Sequence, residues 1–128
     1  MKIHHIAITV SNLEESIKFY TQILGFKVGK QFSKERKGVL ASATYVKLGD
    51  FQIELWQFPD MKENQDALSD IKIKGIKHIA FEVDNLNKTI SKLEGKGLKL
   101  TKPQLGASGH NYSFTTDPDG VALEFYEK

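Results

Sequence analysis

Two residue types able to hold a metal or move a proton recur at matching places in this chain of 128 residues: His5 and His78, then Glu54 and Glu124. Neutral imidazole nitrogens and carboxylate oxygens form an N₂O₂ donor set suited to a divalent ion such as Ni, Zn, Co, Mn or Fe, with positions left for water or substrate. A carboxylate in such a set can also take a proton as base and return it as acid. The chain has no cysteine, which removes thiolate ligands, a cysteine nucleophile and disulfides and leaves His, Asp and Glu to do the chemistry. One histidine on a strand is ordinarily a surface or hydrogen-bonded residue. The repetition of both residue types is what points to a shared role.

The repetition extends to the elements that carry these residues. Aligning His5 with His78 lays HIAITVSNLEESIKFY over HIAFEVDNLNKTISKL, with His, Ile, Ala, Val, Asn, Leu and a later Ile in common. Near the end of each half, Asp50-Phe51-Gln52-Ile53-Glu54-Leu55 matches Gly120-Val121-Ala122-Leu123-Glu124-Phe125. Each copy opens on a period-2 strand, with Ile6, Ile8 and Val10 on one face and His5, Ala7 and Thr9 on the other. In the second copy Ile79, Phe81 and Val83 face away from His78, Ala80 and Glu82. The closing strands obey the same parity, which sets Ile53 and Leu55 against Gln52, Glu54 and Trp56, and places Glu124 between Leu123 and Phe125. All four ionisable residues therefore lie on the less apolar face, beside the small residues Ala7, Ala80 and Ala122.

A helix follows each opening strand. The first starts after Asn12, with Glu15 as a capping-box partner, is expected to bury Leu13, Ile17, Tyr20 and Leu24, and stops at Gly25. The second runs from about Asn85 to Glu94, burying Leu86, Ile90 and Leu93, before Gly95. Strands at Lys27 to Phe32, Ala41 to Leu48 and Phe51 to Phe58 complete the first half. The organisation is a single domain over 1–128, with repeat one at about 3–58, a linker at about 59–75 and repeat two at about 76–128. The expected fold is α+β, two tandem βαβββ units forming a curved mixed sheet around a metal or ligand cavity. A helix covers only one side of its sheet, and the other side is left to enclose something.

Composition narrows the functional classes. At 40% hydrophobic and 27% charged, the chain is an ordinary globular sequence. Its net charge of +2 is spread along the chain, and the mixed stretch Lys34-Glu35-Arg36-Lys37 is expected to be a solvated loop, so no nucleic-acid partner is implied. The N-terminus enters an alternating strand without an apolar signal core, and no apolar run approaches the length of a membrane span. A cytoplasmic protein with no membrane partner is the expectation.

The segments HHIAITVSNLEESIKFYTQILGFKV, IELW, KHIAFEVDNL and DPDGVALEF resemble those of the glyoxalase I, or vicinal-oxygen-chelate, superfamily, and together they cover nearly the whole chain. The resemblance implies that His5, Glu54, His78 and Glu124 are the four ligands of one divalent metal ion. It implies a lactoylglutathione lyase-like activity on a small 2-oxo or hemithioacetal substrate, in which Glu124 or Glu54 moves a proton between adjacent carbons through a metal-stabilised enediolate. It implies a homodimer whose sites combine a His and a Glu from each chain.

The sequence departs from the glutathione-using members at two places. Thr9 stands where they carry an arginine on the first strand, and Phe58 replaces an asparagine just beyond the first glutamate. Loss of a bidentate carboxylate clamp is not conservative, and it disfavours a glutathione hemithioacetal unless Lys74 or Lys47 supplies the charge. Trp56 and Tyr126 have the parity of pocket-lining residues, and His110, in the segment Leu105 to Tyr112, is a further candidate substrate contact. His4 shares the apolar parity of its strand and is expected to play a structural role at its end. The alternatives are an acyl-thioester epimerase, a fosfomycin-type thiol transferase, disfavoured by Glu54, and a non-catalytic drug-binding protein, a class that lacks the His/Glu set.

Overall fold

The alternation of the first segment becomes strand β1 (Ile6–Thr9), which is followed by helix α1 (Leu13–Lys18), a π-helical turn (Phe19–Ile23) and strands β2 (Lys27–Arg36), β3 (Val39–Leu48) and β4 (Phe51–Gln57). The second series is β5 (His78–Val83), α2 (Leu86–Glu94), β6 (Gln104–Leu105), β7 (Asn111–Thr116) and β8 (Ala122–Glu127). These elements belong to a computed structural model that describes residues 1–64 and 70–128. The chain divides into two compact units, Met1–Glu63 and Asn64–Lys128. Their boundary falls within the linker expected at 59–75, of which residues 65–69 lie outside the described residues.

In the first unit the strand order is β1-β4-β3-β2, with β1 parallel to β4 and the other pairs antiparallel. The second repeats this as β5-β8-β7-β6, with β5 parallel to β8. The parallel pair is the one that carries the histidine and the glutamate. Its crossover contains the helix, as a parallel connection requires. The arrangement is two tandem βαβββ units in the α+β class. Among the described residues no helix is long and apolar enough to cross a membrane.

The helix starts are built alike in both units. Asn12 is extended and its side chain accepts from the Glu15 N–H at 3.0 Å, and Asn85 accepts from the Lys88 N–H at 2.9 Å. A second acceptor comes from the far end of the last strand: Gln57 Oε1 takes the Leu13 N–H at 2.6 Å, and Glu127 Oε2 takes the Leu86 N–H at 2.6 Å. Each helix is thus tied to the strand that carries its unit's glutamate, and two of the N–H groups that a helix start leaves open are satisfied.

The first helix differs from its expected face. Phe19 and Tyr20 are buried side by side together with Ser16, whereas Leu13, Ile17 and Leu24 are half-buried. The widened π turn admits an extra residue, and this rotates Phe19 inward beside Tyr20. Gly25, at φ 80°, ends the element, and the Phe26 N–H bonds back to the Tyr20 carbonyl at 2.9 Å. With Val10, Phe26, Val46, Ile53 and Leu55 these rings form the first core. The second core contains Ile79, Leu86, Leu93, Leu123 and Phe125, with Phe81 stacked on Phe125.

The β2–β3 hairpin corrects the expected boundaries. It runs on to Arg36 and Val39, joined by Lys37 and Gly38 at φ 50° and 78°, so Lys34, Glu35 and Arg36 lie in a strand and not in a solvated loop. Positive φ at both central residues is the type I′ geometry that matches strand twist. The matching hairpin of the second unit is short. The Thr101 N–H bonds the Phe114 carbonyl at 2.9 Å, but Pro103 has no N–H to continue the ladder, and β6 is only Gln104–Leu105.

Asn85→Ala and Glu127→Ala each deprive the start of α2 of a side-chain acceptor and are each expected to cost about 1 kcal/mol. The melting temperature, followed by circular dichroism, should fall by roughly 3–5 °C for either variant. A melt identical to that of the unaltered protein would show that the cap carries no weight.

Candidate metal and proton-transfer site

In the first unit Ala7 of β1 lies opposite Glu54 of β4, and His5, two residues earlier, projects on the same face. His5 Nε2 stands 3.8 Å from Glu54 Oε2. In the second unit Ala80 lies opposite Glu124, His78 lies opposite Ala122, and His78 Nε2 stands 2.9 Å from Glu124 Oε2. The two pairs are exposed to the same degree: the histidine side chains at 32% each, and the glutamates recessed at 12% and 15%. Each pair is therefore a carboxylate set back behind an imidazole that solvent can reach.

The surroundings of the two pairs differ. Tyr45 of β3 lies opposite Glu54 and donates its phenolic O–H to the carboxylate, and the Trp56 indole N–H donates to it as well. Burial by itself pushes the Glu54 carboxyl up, but the hydrogen bonds from Tyr45 and Trp56, with the charges of His5 and His4, outweigh it and hold the group below its ordinary value. The same hydrogen bond, with burial and the Glu54 charge, raises the Tyr45 phenol above its ordinary value. His5 is held from outside too: its Nδ1 lies 2.8 Å from Nδ1 of His4, and the edge of Tyr45 meets its ring at a centroid distance of 5.4 Å. With Nδ1 engaged, Nε2 is the nitrogen left to face Glu54.

In the second unit Phe114 takes the register position of Tyr45, opposite Glu124. Its ring packs on His78 at 5.3 Å and offers no hydrogen bond. Among the described residues Glu124 has His78 as its one side-chain partner. The two glutamates share a backbone setting but not a hydrogen-bonding one.

The proposed substrate contacts fall on the same open faces. Thr9 is exposed opposite Trp56, and Phe58 stacks on Trp56 at 5.6 Å and 19°. Tyr126 lies two residues beyond Glu124 with its O–H 3.2 Å from Ser108 Oγ, and the His110 ring stands 5.2 Å from the Tyr126 ring. His4 is exposed at the head of its strand, where its ring meets His5 and its carbonyl accepts from the Gln52 side chain at 3.4 Å. Tyr45 carries no mark in the sequence because its role depends on which residue of β4 it meets, and only the pairing register supplies that.

The donor chemistry fits a divalent ion two ligands at a time. Nitrogen and oxygen ligands at the usual bond lengths of about 2.0–2.2 Å lie roughly 3 Å apart, and separations of 2.9 Å and 3.8 Å bracket that spacing. No group of three or more His, Cys, Asp or Glu able to hold a metal is present among the described residues. The set of four expected from the sequence is present as two His–Glu pairs, one in each unit.

Known proteins match the chain over nearly its whole length. The model of the "Glyoxalase/Bleomycin resistance protein/Dioxygenase superfamily" matches residues 2–125. The chain is 35% identical to the uncharacterized protein YwkD of Bacillus subtilis, covering 98% of this chain and 96% of that one. It is 31% identical to the mitochondrial methylmalonyl-CoA epimerase of Bos taurus, over 96% of this chain and 72% of the relative. The crystal structure of a glyoxalase family protein from Enterococcus faecalis superposes with a TM-score of 0.83 at 28% identity, covering 98% of this chain and 97% of the other.

Tyr45→Phe removes one donor from Glu54 and leaves its packing in place. The affinity for a divalent ion should fall by about tenfold or more, read by competition against a chromogenic chelator. An unchanged affinity would show that the hydrogen bond does not orient the carboxylate for a metal.

Proposed function

The chain belongs to the Glyoxalase/Bleomycin resistance protein/Dioxygenase superfamily, and from that membership we propose that it is a divalent-metal-dependent enzyme moving a proton on carbon beside a carbonyl. The substrate class is a small 2-oxo compound or hemithioacetal, as for a lactoylglutathione lyase-like isomerase. The observation that carries the reading is the His–Glu pair, recessed carboxylate behind accessible imidazole, made twice at equivalent register. A merely structural duplication has no need to retain both ionisable partners on the uncovered face.

His5, Glu54, His78 and Glu124 are the residues that would hold the ion. When bound, it supplies Lewis-acid stabilisation of negative charge on the substrate oxygens. Glu54, fixed by Tyr45 and Trp56, is suited to remain in place as a ligand. Glu124 lacks such donors among the described residues, so its carboxylate is the one available to take the proton from one carbon and return it to the next. Trp56 and Phe58 provide an apolar wall beside Glu54, which would keep water from a substrate held at that carboxylate. Because each unit supplies two donors, a homodimer that joins a pair from one chain to a pair from its partner would complete the ligand set.

A second reading is supported by particular residues. Thr9 and Phe58 offer no clamp for the carboxylates of glutathione, and an acyl-thioester epimerase needs the same proton transfer without that clamp. The bovine relative carries the name of such an epimerase.

Metal analysis of the purified protein should find a stoichiometric divalent ion that is lost in His5→Ala. Glu124→Gln should retain the ion while proton transfer slows by about 10²–10⁴-fold. Parallel assays with methylglyoxal hemithioacetals and with a 2-methyl acyl thioester, following solvent deuterium into carbon, separate the two readings. Absence of a stoichiometric ion would overturn the enzyme assignment in favour of a binding protein.

A further inference from the structure

The chain contains one arginine, Arg36, and one tryptophan, Trp56, and the fold brings them together. Strand β2 pairs Phe32, Lys34 and Arg36 with Ala43, Ala41 and Val39 of β3, and Ala43 pairs in turn with Trp56 of β4. Directly opposed residues share a face. Arg36 therefore lies on the face of Glu54, with its guanidinium carbon 5.9 Å from the Trp56 ring centroid. The other end of the same indole donates its N–H to Glu54. Phe32 meets Trp56 edge-on at 5.4 Å, Phe58 stacks on it, and the small residues Ala41 and Ala43 lie fully buried beneath.

Trp56 is itself buried in this cluster, the half-buried rings of Phe32 and Phe58 form its accessible surface, and the exposed Arg36 puts a cation at its edge. Lys30 adds a second cation 5.9 Å over the Phe32 ring, and Lys34 shares the face of Arg36. Glu35 alternates to the opposite face, and the one carboxylate that these strands place on the cluster side is Glu54 itself. Arg36 has no carboxylate partner among the described residues. The Arg36 guanidinium stands over the indole within cation–π range, and with no carboxylate paired to it its N–H groups are free to make the fork that binds carboxylate or phosphate bidentately. The type I′ turn at Lys37-Gly38 fixes Arg36 as the last paired residue of its strand and so fixes where that fork stands.

We propose that Arg36, seated on Trp56 one indole away from Glu54, is the anion-binding residue for a carboxylate or phosphate carried by the substrate away from its reacting carbon. The substrate class narrows to molecules with an acidic tail joined to the reacting end by a segment that lies on the Phe32 and Phe58 rings packed against Trp56. The assignment takes the position of the reacting end from the proposed proton transfer at the His–Glu pairs. The anion contact itself requires no metal.

Trp56, as the sole tryptophan, reports directly on its own surface. Metal-free full-length protein is titrated with glutathione as the carboxylate probe, with coenzyme A and inorganic pyrophosphate as phosphate probes, and with neutral N-acetylcysteamine, while tryptophan emission is recorded. At least one anionic probe should give a saturable change, and its dissociation constant should rise about tenfold or more in Arg36→Gln. Arg36→Lys, which keeps the charge but loses the fork, should fall between the two. Far-UV circular dichroism and the melting temperature should match across the three proteins, because Arg36 is exposed. The probe that responds distinguishes a carboxylate tail from a phosphate tail. Equal dissociation constants in the unaltered protein and Arg36→Gln, an equal response to the neutral thiol, or no saturable response to any anion overturns the proposal. Protein that binds anions through Arg36 but holds no divalent ion would sink the enzyme reading and leave this site standing. Protein that holds the ion with an indifferent Arg36 would do the reverse.

Discussion

The site depends on strand parity. In β4, Ile53 and Leu55 are fully buried, and in β8 Leu123 and Phe125 are buried. Burying each such side chain contributes about 1.5–3 kcal/mol, and a one-residue slip would bring these residues to the open face while driving Glu54 or Glu124 into an apolar layer. The glutamates face outward because their neighbours cannot. Parallel pairing with β1 and β5 then brings an imidazole to each carboxylate, and the caps from Gln57 and Glu127 tie each helix to the same strand. Packing on one face thereby fixes which side chains stand together on the other.

Duplication supplied two equal pairs, and the next strand made them unequal. At the register position opposite the glutamate, one unit has a phenol that donates and the other a phenyl that packs. The difference of one oxygen atom alters what each carboxylate is suited to do. A carboxylate satisfied by two donors is rigid and a poor acceptor for another proton, whereas one with only an imidazole beside it keeps free acceptor capacity. Differing surroundings are a general route to distinct proton affinities for otherwise identical carboxyl groups.

The pattern of His5, His78, Glu54 and Glu124 was legible because alternation within a strand is a local property that needs no partner. The caps at Asn12 and Asn85 were legible for the same reason. Pairings between strands were not. That Tyr45 meets Glu54, that Gln57 reaches the Leu13 N–H and that Arg36 lies over Trp56 all follow from register between segments well apart in sequence. Lys37-Gly38 between alternating segments is compatible with a two-residue hairpin, but the surrounding charges give the segment the look of a loop. The inward rotation of Phe19 had no such signal, because the π turn that causes it suits the tertiary packing and breaks the 3.6-residue period.

The charges of β2 serve two needs that parity separates. Strand β2 is an edge of its sheet, where exposed N–H and C=O groups invite pairing with another chain, and lysines along an edge discourage this whichever face they occupy. Lys27, Lys30, Lys34 and the turn residue Lys37 meet that need without any particular geometry. Arg36 does not fit so simple an account. A guanidinium is no better than an ammonium at guarding an edge, but it is the better group for meeting an indole face and presenting a fork beyond it. An arginine at the one charged position of this strand that stands over Trp56, among lysines elsewhere, suits recognition of an anion and is not needed for edge protection alone.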